Sequence, residues 1–593
     1  MQEMACHELG LYASKGKSAG KQERRGRATV GLAGFAVALV LSGCGAQYRP
    51  VVSAINPVGP AGQPFGQYAV ALSNPSGIPL QSSITSYSIA GNVATFTVPA
   101  PNPFLPAQTL TLSGFTASTF LNGATVTVSA AGFSATQFEA TLNHADVPLT
   151  AEAGTALLPG NVQPGLLTFV DVSGDTVLST PSVLPFPAPT NAGTTAVAPT
   201  PTYVNPLNFS LTLNGGEGFI VNDTGNFEDF FTSNPTSLLT QDIVPTTLAP
   251  NVVPSGVQAY TLSGSSTLFI PEPNASQISE LSVGNGASLI QNLTGKDLTN
   301  PIYIVGTDSA TRLYAIDPGN GTTAGQVSPI ENSPVSLLNP ITVGTNPVYG
   351  VMTPDGNRAF ILNKGDGTVS VINVPSNATD ITTPFIDLNP GAPSAPNPVW
   401  ADFAPLLSEM VVLNQGDGVH PGSLSIINIP LCNPNSPVNP VNPNCNPLNP
   451  VDAVGFGKVL KTVPVGVNPT MVSVLNDGSY RAYVVNSGIL PSGGNAGVDG
   501  SVSVVHLDSF LVTTINAVSS PAVTQTISGT TSSPTMVYGH PNTIATTAGT
   551  PAGKVYVTST DNKYLTVIKT DTDTVDTHIS LQGLGIRVLT TSK

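Results

Sequence analysis

The chain predicts an all-β fold of many short strands, and three observations carry that reading. Charged residues make up only 9% of the 593, against roughly 25% in an average soluble protein. Glycine and proline are abundant, at 58 and 55 residues. Asp-Gly pairs recur between alternating apolar segments, at Asp355-Gly356, Asp366-Gly367, Asp477-Gly478 and Asp499-Gly500. Such pairs supply the positive φ that tight hairpins require. Long helices with charged faces cannot be built from this material, and a hydrophobic share of 40% excludes wholesale disorder.

Self-similarity then narrows the fold. One segment, NPVYGVMTPDGNRAFILNKGDGTVSVINV, runs from Asn346 to Val374. A second begins NPTMVSVLNDGSYRAYVVNSG at Asn468 and resumes as VDGSVSVVHLDS to Ser509. The third is SPTMVYGHP, read as a first strand, followed by KVYVTSTDNKYLTVIKTDTDTVDTHI to Ile579. Each reads as an apolar strand, a turn, an alternating strand ending near Asn, Ser or Thr, a second turn, and two further strands. Second strands are expected at Gln67–Asn74, Glu217–Asn222, Ser266–Pro271, Thr311–Ile316, Arg358–Asn363, Glu409–Asn414, Arg481–Asn486 and Lys554–Ser559. From the second onward their spacings are 49, 45, 47, 51, 72 and 73 residues. The four short intervals suit a four-stranded propeller blade of about 40–50 residues. Both long ones hold insertions, the Cys432–Cys445 loop in one and PSGGNAG with HPNTIATTAGTPAG in the other. Unrelated β-sandwich domains would show no fixed spacing.

The repeats also carry a family likeness. Tyr556-Val557-Thr558-Ser559 with Leu565-Thr566-Val567-Ile568, Gly367-Thr368-Val369-Ser370-Val371-Ile372-Asn373, and Gly500-Ser501-Val502-Ser503-Val504-Val505 stand at matching positions. They resemble the YVTN-type β-propeller repeat family, from Ile341 to the C-terminus. The resemblance implies a propeller and an extracytoplasmic or surface protein, a few members being implicated in binding. It is nearly silent on chemistry, since the motif residues form strands and turns.

A propeller closes by pairing strands from both chain ends. The C-terminal GLGIRVLTTSK reads as an innermost strand, with Gln67–Asn74 and Leu166–Thr180 as its partners. Eight blades are expected, seven being the alternative. The expected division is a signal segment at 1–43, a linker and first propeller strand at 44–76, an inserted small Ig-like or barrel-like β-domain at 77–163, and the propeller at 164–593.

The N-terminal segment reads as an address. Six Lys/Arg precede Ala28–Leu41, 14 uncharged residues that are too few to span a bilayer and suit a secretory h-region. Leu41-Ser42-Gly43-Cys44 resembles the bacterial lipobox, which implies that Cys44 becomes the lipidated N-terminus of an exported, membrane-anchored lipoprotein. An ordinary signal peptide is the alternative. In the lipoproteins this resembles, Asp after the Cys tends to retain the chain at the inner membrane. Gly45 stands there instead, so the outer membrane or cell surface is expected, with the periplasmic face of the inner membrane as the alternative. Cys432 and Cys445 are expected to form a disulfide, worth about 3 kcal/mol for a loop of this size. A metal site is the weaker reading, for their neighbours are Asn and Pro without His or carboxylate.

Chemistry is sparse. After Cys44 there are 13 Lys/Arg against 31 Asp/Glu, and no cation between Arg49 and Lys296, which excludes nucleic-acid binding. The histidines His144, His420, His506, His540 and His578 are scattered, and no HExxH, CxxCH, GxSxG or P-loop occurs. No catalytic residue, cofactor or metal ligand is therefore expected. Asp571, Asp573 and Asp576 could offer oxygens to calcium but lack the Gly and Glu of an EF-hand, so a polar hairpin is expected there. Phe227, Phe230 and Phe231 around Glu228-Asp229 are expected to pack between blades, His420 to be a solvated loop residue, and Trp400 to lie in the core. The functional expectation is a non-enzymatic binding or scaffolding protein of the cell envelope, with protein or glycan ligands at the propeller loops. A lactonase-like or sugar-acting propeller enzyme with its site at the channel mouth is the alternative.

Overall fold

The computed structural model describes residues 67–74, 80–99, 102, 104, 108–158, 165–180, 206–212, 215–222, 227–232, 258–262, 265–282, 289–307, 310–332, 334–389, 396–430, 455–475, 477–492, 497–518, 535–547, 553–581 and 583–591. Cys44, Cys432 and Cys445 lie outside the described residues, and so does the signal segment. What is described is all-β, in small antiparallel sheets joined by turns and three single-turn 3₁₀ segments.

Eight sheets follow one another along the chain. Sheet 1 joins the two ends: its order is Thr176–Ser179, Leu166–Asp171, Tyr68–Asn74 and Leu584–Thr590. The C-terminal strand lies antiparallel to Tyr68–Asn74, with Val70 opposite Leu589 and Ala71 opposite Val588. Sheets 2 to 8 have their second strands at Glu217–Asn222, Ser265–Glu272, Arg312–Asp317, Arg358–Asn363, Glu409–Asn414, Arg481–Asn486 and Lys554–Ser559. These are buried runs flanked on both sides, which is why they read as nearly continuous apolar segments. Inner strands pack pairwise. Tyr303–Val305 of sheet 4 packs on Pro347–Met352, that on Pro398–Ala404, and so on through Pro469–Leu475 and Pro541–Thr546 to Leu584–Thr590. Leu584–Thr590 in turn packs on Pro206–Leu211 of sheet 2.

The third repeat shifts register from the sequence reading. Val537–Tyr538 does not open sheet 8; it adds in parallel to Val512–Val518 at the edge of sheet 7. The first strand of sheet 8 is Pro541–Thr546, inside the stretch read as an insertion. The reason is how inner strands begin. Asn346, Asn397 and Asn468 stand before Pro347, Pro398 and Pro469 at φ of 51°, 56° and 52°, and Asn tolerates this left-handed region. Their carbonyls accept the amides of Lys364, Gln415 and Ser487, tying each entry to the end of a second strand. In sheet 8 the entry is Gly539-His540-Pro541, with Gly539 at φ 76° and the His540 carbonyl accepting Thr560 N–H. His540 takes the place of the asparagine.

Two polar devices explain the repeat motif. The second strands of sheets 5, 6 and 7 end in a buried amide that pins the hairpin. Asn363 Nδ2 donates to Thr368 and Ser370, Asn414 Nδ2 to Ser423 and Ser425, and Asn486 Nδ2 to Ser501 and Ser503. At the other end, a cation and a tyrosine clamp the next sheet. Arg481 Nη1 and Tyr483 Oη both donate to Asp573, at 2.6 and 2.5 Å. Lys554 Nζ and Tyr556 Oη donate to Asp175 at 2.6 and 2.9 Å, so sheet 8 holds sheet 1 as sheet 7 holds sheet 8. Tyr314 Oη reaches Asn377 in the same way, while Arg312 donates to the Val374 carbonyl. Asp573, Asp175 and Asn377 all sit at φ near 52° in the turn after a third strand. Sheet 6 departs from the pattern, with Glu409 and Val411 in place of cation and tyrosine. The matching left-handed residue in sheet 7 is then Phe510, packed in the same apolar cluster as Val411.

Between the second and third strands of sheet 1, the strands from Leu80 to Leu158 form two four-stranded sheets of their own. Their core is built on Tyr87, Phe96, Phe104, Phe115 and Phe138, with Phe96 stacked on Phe138 at 5.0 Å. It shares no member with the other clusters.

Candidate functional site

Inner strands of five sheets line one cavity of about 240 Å³, through Leu207, Asn208, Trp400, Thr470, Met471, Asn542, Thr543, Ile586 and Arg587. Two more sheets reach it by aromatic contact. Trp400 stacks on Tyr349 at 4.1 Å and 21°, and Tyr349 meets Tyr303 at 4.7 Å with their phenols hydrogen-bonded. Trp400 packs against two of the apolar core clusters, as the sequence suggests, without being enclosed by them. It is half-buried, with one side on Tyr349 and another facing the cavity. Burial, with Tyr303 next to it, holds the Tyr349 phenol well above the usual tyrosine range.

Arg587 is the cation of this cavity. Its Nη1 donates to Asn208 Oδ1 at 2.6 Å, while its buried Nε has no hydrogen-bond partner among the described residues. Desolvation works against its charge, yet a guanidinium keeps its proton in a protein. Asp402 does not pair with it; its carboxylate accepts the backbone amides of Phe403 and Val474 at 2.9 and 2.8 Å. The other polar side chains of the wall are occupied. Thr470 donates to the Asn542 carbonyl, and Asn542 Nδ2 donates to the carbonyls of Gly585 and Ile586. Thr543 bonds Thr558 and accepts Val588 N–H.

The five histidines are not brought together. His144 stacks on Phe120, and exposed His420 bonds Asp417 at 2.6 Å as a turn residue. His506 lies 4.0 Å from Asp573, and His578 stacks on Tyr538 and bonds the Met536 carbonyl. His540 is buried, with Nδ1 2.7 Å from Asp561 and Nε2 unpartnered among the described residues. It borders a second cavity lined also by Asn468, Ser487, Ile489 and Leu490. Ser487 Oγ is engaged there with the Pro541 carbonyl at 2.5 Å. Asp573 is the Arg481 and Tyr483 clamp, and Asp576 pairs with Lys569 at 2.7 Å. Phe227–Phe231 is the third strand of sheet 2, and Phe230 meets Phe169 of sheet 1 edge-on at 5.7 Å. Among the described residues no three His, Cys, Asp or Glu stand together as a metal site would need. Sequence reasoning missed Arg587, Tyr303 and Tyr349. Its one available signal was the Asn-Pro or His-Pro pair that opens inner strands, because Thr470, Met471, Asn542 and Thr543 of the cavity wall follow such pairs directly.

No family model matches the chain, and no curated protein matches it. Among solved structures it is similar to Kuenenia stuttgartiensis hydrazine synthase, at 14% identity over 58% of this chain and 92% of that one, with a TM-score of 0.40. It is similar to the dihydro-heme d1 dehydrogenase NirN in complex with DHE, at 11% identity over 71% and 72%, TM-score 0.46. A putative 6-phosphogluconolactonase from Bacteroides fragilis is similar at 14% identity over 63% and 97%, TM-score 0.39.

Proposed function

We propose that the chain is an exported, lipid-anchored propeller of the bacterial cell envelope that binds or scaffolds rather than catalyses. In this reading the eight sheets are blades, closed where Leu584–Thr590 joins Tyr68–Asn74, and the segment from 77 to 163 is an inserted domain. Cys44 carries the lipid, and the outer membrane or cell surface is its place. One observation supports binding above catalysis. The cations of four second strands are committed to ion pairs that hold the sheets, in Arg481–Asp573, Lys554–Asp175, Arg358–Asp380 and Arg312–Glu331. A catalytic site needs such groups converging on one pocket instead. The anchor is tested by replacing Cys44 with Ser in the full-length chain and fractionating the cells. Release from membranes is expected, and retention of the variant in the membrane fraction refutes the lipoprotein reading.

The enzyme alternative draws on His540, since a buried histidine oriented by a carboxylate is the usual form of a general base. If hydrolysis of a lactone or glycoside is found, His540→Gln should abolish it. An unchanged rate in that variant removes this reading of His540.

A further inference from the structure

We infer that the cavity between the inner strands is a binding site for a small organic anion, whose carboxylate pairs with Arg587 and whose apolar body lies against Trp400. This deepens the binding reading above and rests on it. The hydrogen-bonding capacity left over in the cavity wall points to an anion. Arg587 Nε has no partner among the described residues, and Asn208 accepts two bonds at Oδ1, from Arg587 and from its neighbour Phe209 N–H, while its Nδ2 donates none. Two wall acceptors already hold a donor, for Asn542 Oδ1 receives Thr558 and Thr543 Oγ1 receives Val588 N–H. Donors are thus in surplus and acceptors are not. A desolvated cation with no carboxylate in ion-pair range among the described residues favours an anionic ligand, because the pair forms where water competes least. The rest of the wall is apolar, being Leu207, Trp400, Met471 and Ile586, which suits a body of carbon and excludes a bare inorganic ion as the best fit. The volume of about 240 Å³ suits a molecule of benzoate size.

The cavity also carries its own reporter. Trp400 is the one tryptophan in the chain, so its fluorescence reads this wall and no other. The purified full-length chain is titrated with benzoate, and separately with neutral benzamide, of the same shape. Saturable change in Trp400 emission is expected with benzoate, and binding at least about tenfold weaker with benzamide, as loss of a charge-assisted bond implies. Arg587→Gln should lose the preference for benzoate while its melting curve stays cooperative, and Arg587→Lys should keep part of it. Equal affinity for the two probes refutes the inference, as does benzoate binding unchanged in Arg587→Gln, or no saturable response to benzoate at all. Because Cys44→Ser fractionation does not depend on these titrations, a failure here leaves the envelope reading standing, and the reverse holds too.

Discussion

Replacing Asn486 with Ala tests whether the buried amides at the ends of second strands hold the repeats together. Asn486 is fully buried and its carboxamide makes three bonds of 3.0 Å, Nδ2 to Ser501 Oγ and to Ser503 Oγ and Gly466 N–H to Oδ1, besides a long one of 3.4 Å from Nδ2 to the Ser501 carbonyl. Gly466 belongs to the outer strand of sheet 6, so this one side chain pins its own hairpin and the neighbouring sheet. The glycine is required there, since a Cβ would stand 2.6 Å from Asn486 Cγ. At roughly 1 kcal/mol for each bond, the variant should lose about 3 kcal/mol, with Gly466 N–H left unsatisfied. Asn414 supplies the control. It is equally buried and donates to Ser423 and Ser425, but its Oδ1 has no partner among the described residues. Asn414→Ala should therefore lose about 2 kcal/mol. Denaturant unfolding followed by far-UV circular dichroism measures both. A loss in Asn486→Ala below about 0.5 kcal/mol, the level of ordinary surface changes, would refute the reasoning. So would a loss in Asn414→Ala as large as that in Asn486→Ala.

Glu409 stands buried where other sheets carry a cation, and burial pushes its carboxyl up to about 7 from 4.5. Held more tightly in the folded chain, that proton stabilises below pH 4.5, and the benefit is lost as pH rises through 7. Glu409→Gln should thus gain up to about 3 kcal/mol at pH 8 and nothing at pH 4, a difference read from unfolding curves at the two pH values. Asp573→Ala strands the half-buried Arg481 and the Tyr483 hydroxyl together, and a loss of about 3 kcal/mol is expected by denaturation. Asp417→Ala, which frees the His420 ring and the exposed turn amides of Val419 and His420 to water, should leave the unfolding midpoint nearly unchanged. Non-reducing peptide mapping should recover a Cys432–Cys445 cross-link, and two free thiols at those positions would overturn the disulfide.

The second strands were legible because burial on both faces leaves a continuous apolar run, and all eight expected segments are strands with ends moved by at most a residue. Sheet 8 was misread at its first strand because SPTMV looks like NPTMV in residue type. The strand entry that Asn-Pro makes in sheets 5 to 7 is made in sheet 8 by Gly539-His540-Pro541, which shares no residue type with Asn-Pro except the proline. The clamps were invisible for a different reason. Arg481 and Asp573 are 92 residues apart, and each reads locally as an exposed strand end or a polar hairpin. Only their repetition exposes them: Arg-x-Tyr or Lys-x-Tyr in one repeat, and a left-handed Asp or Asn in the turn of the next. The cavity was the least legible feature, since its residues come from different repeats and only Thr470 and Met471 fall within a recognised repeat segment.

That last point bears on why Arg587 matters. The chain carries few cations after residue 44, and four of them, Arg312, Arg358, Arg481 and Lys554, occupy one repeat position. Each of those faces an acid: Glu331, Asp380, Asp573 or Asp175. Arg587 sits on the C-terminal strand outside that pattern, on an inner strand, in a wall where Asn542 Oδ1 and Thr543 Oγ1 already hold a donor. A methionine or leucine there would pack against Ile586 and Trp400 without desolvating a charge, so stability alone gives no reason for the guanidinium. An acidic protein that spends its scarce cations on neutralising clamps, yet places one beside aromatic rings with no carboxylate in ion-pair range among the described residues, has the electrostatics of a ligand site at that one position.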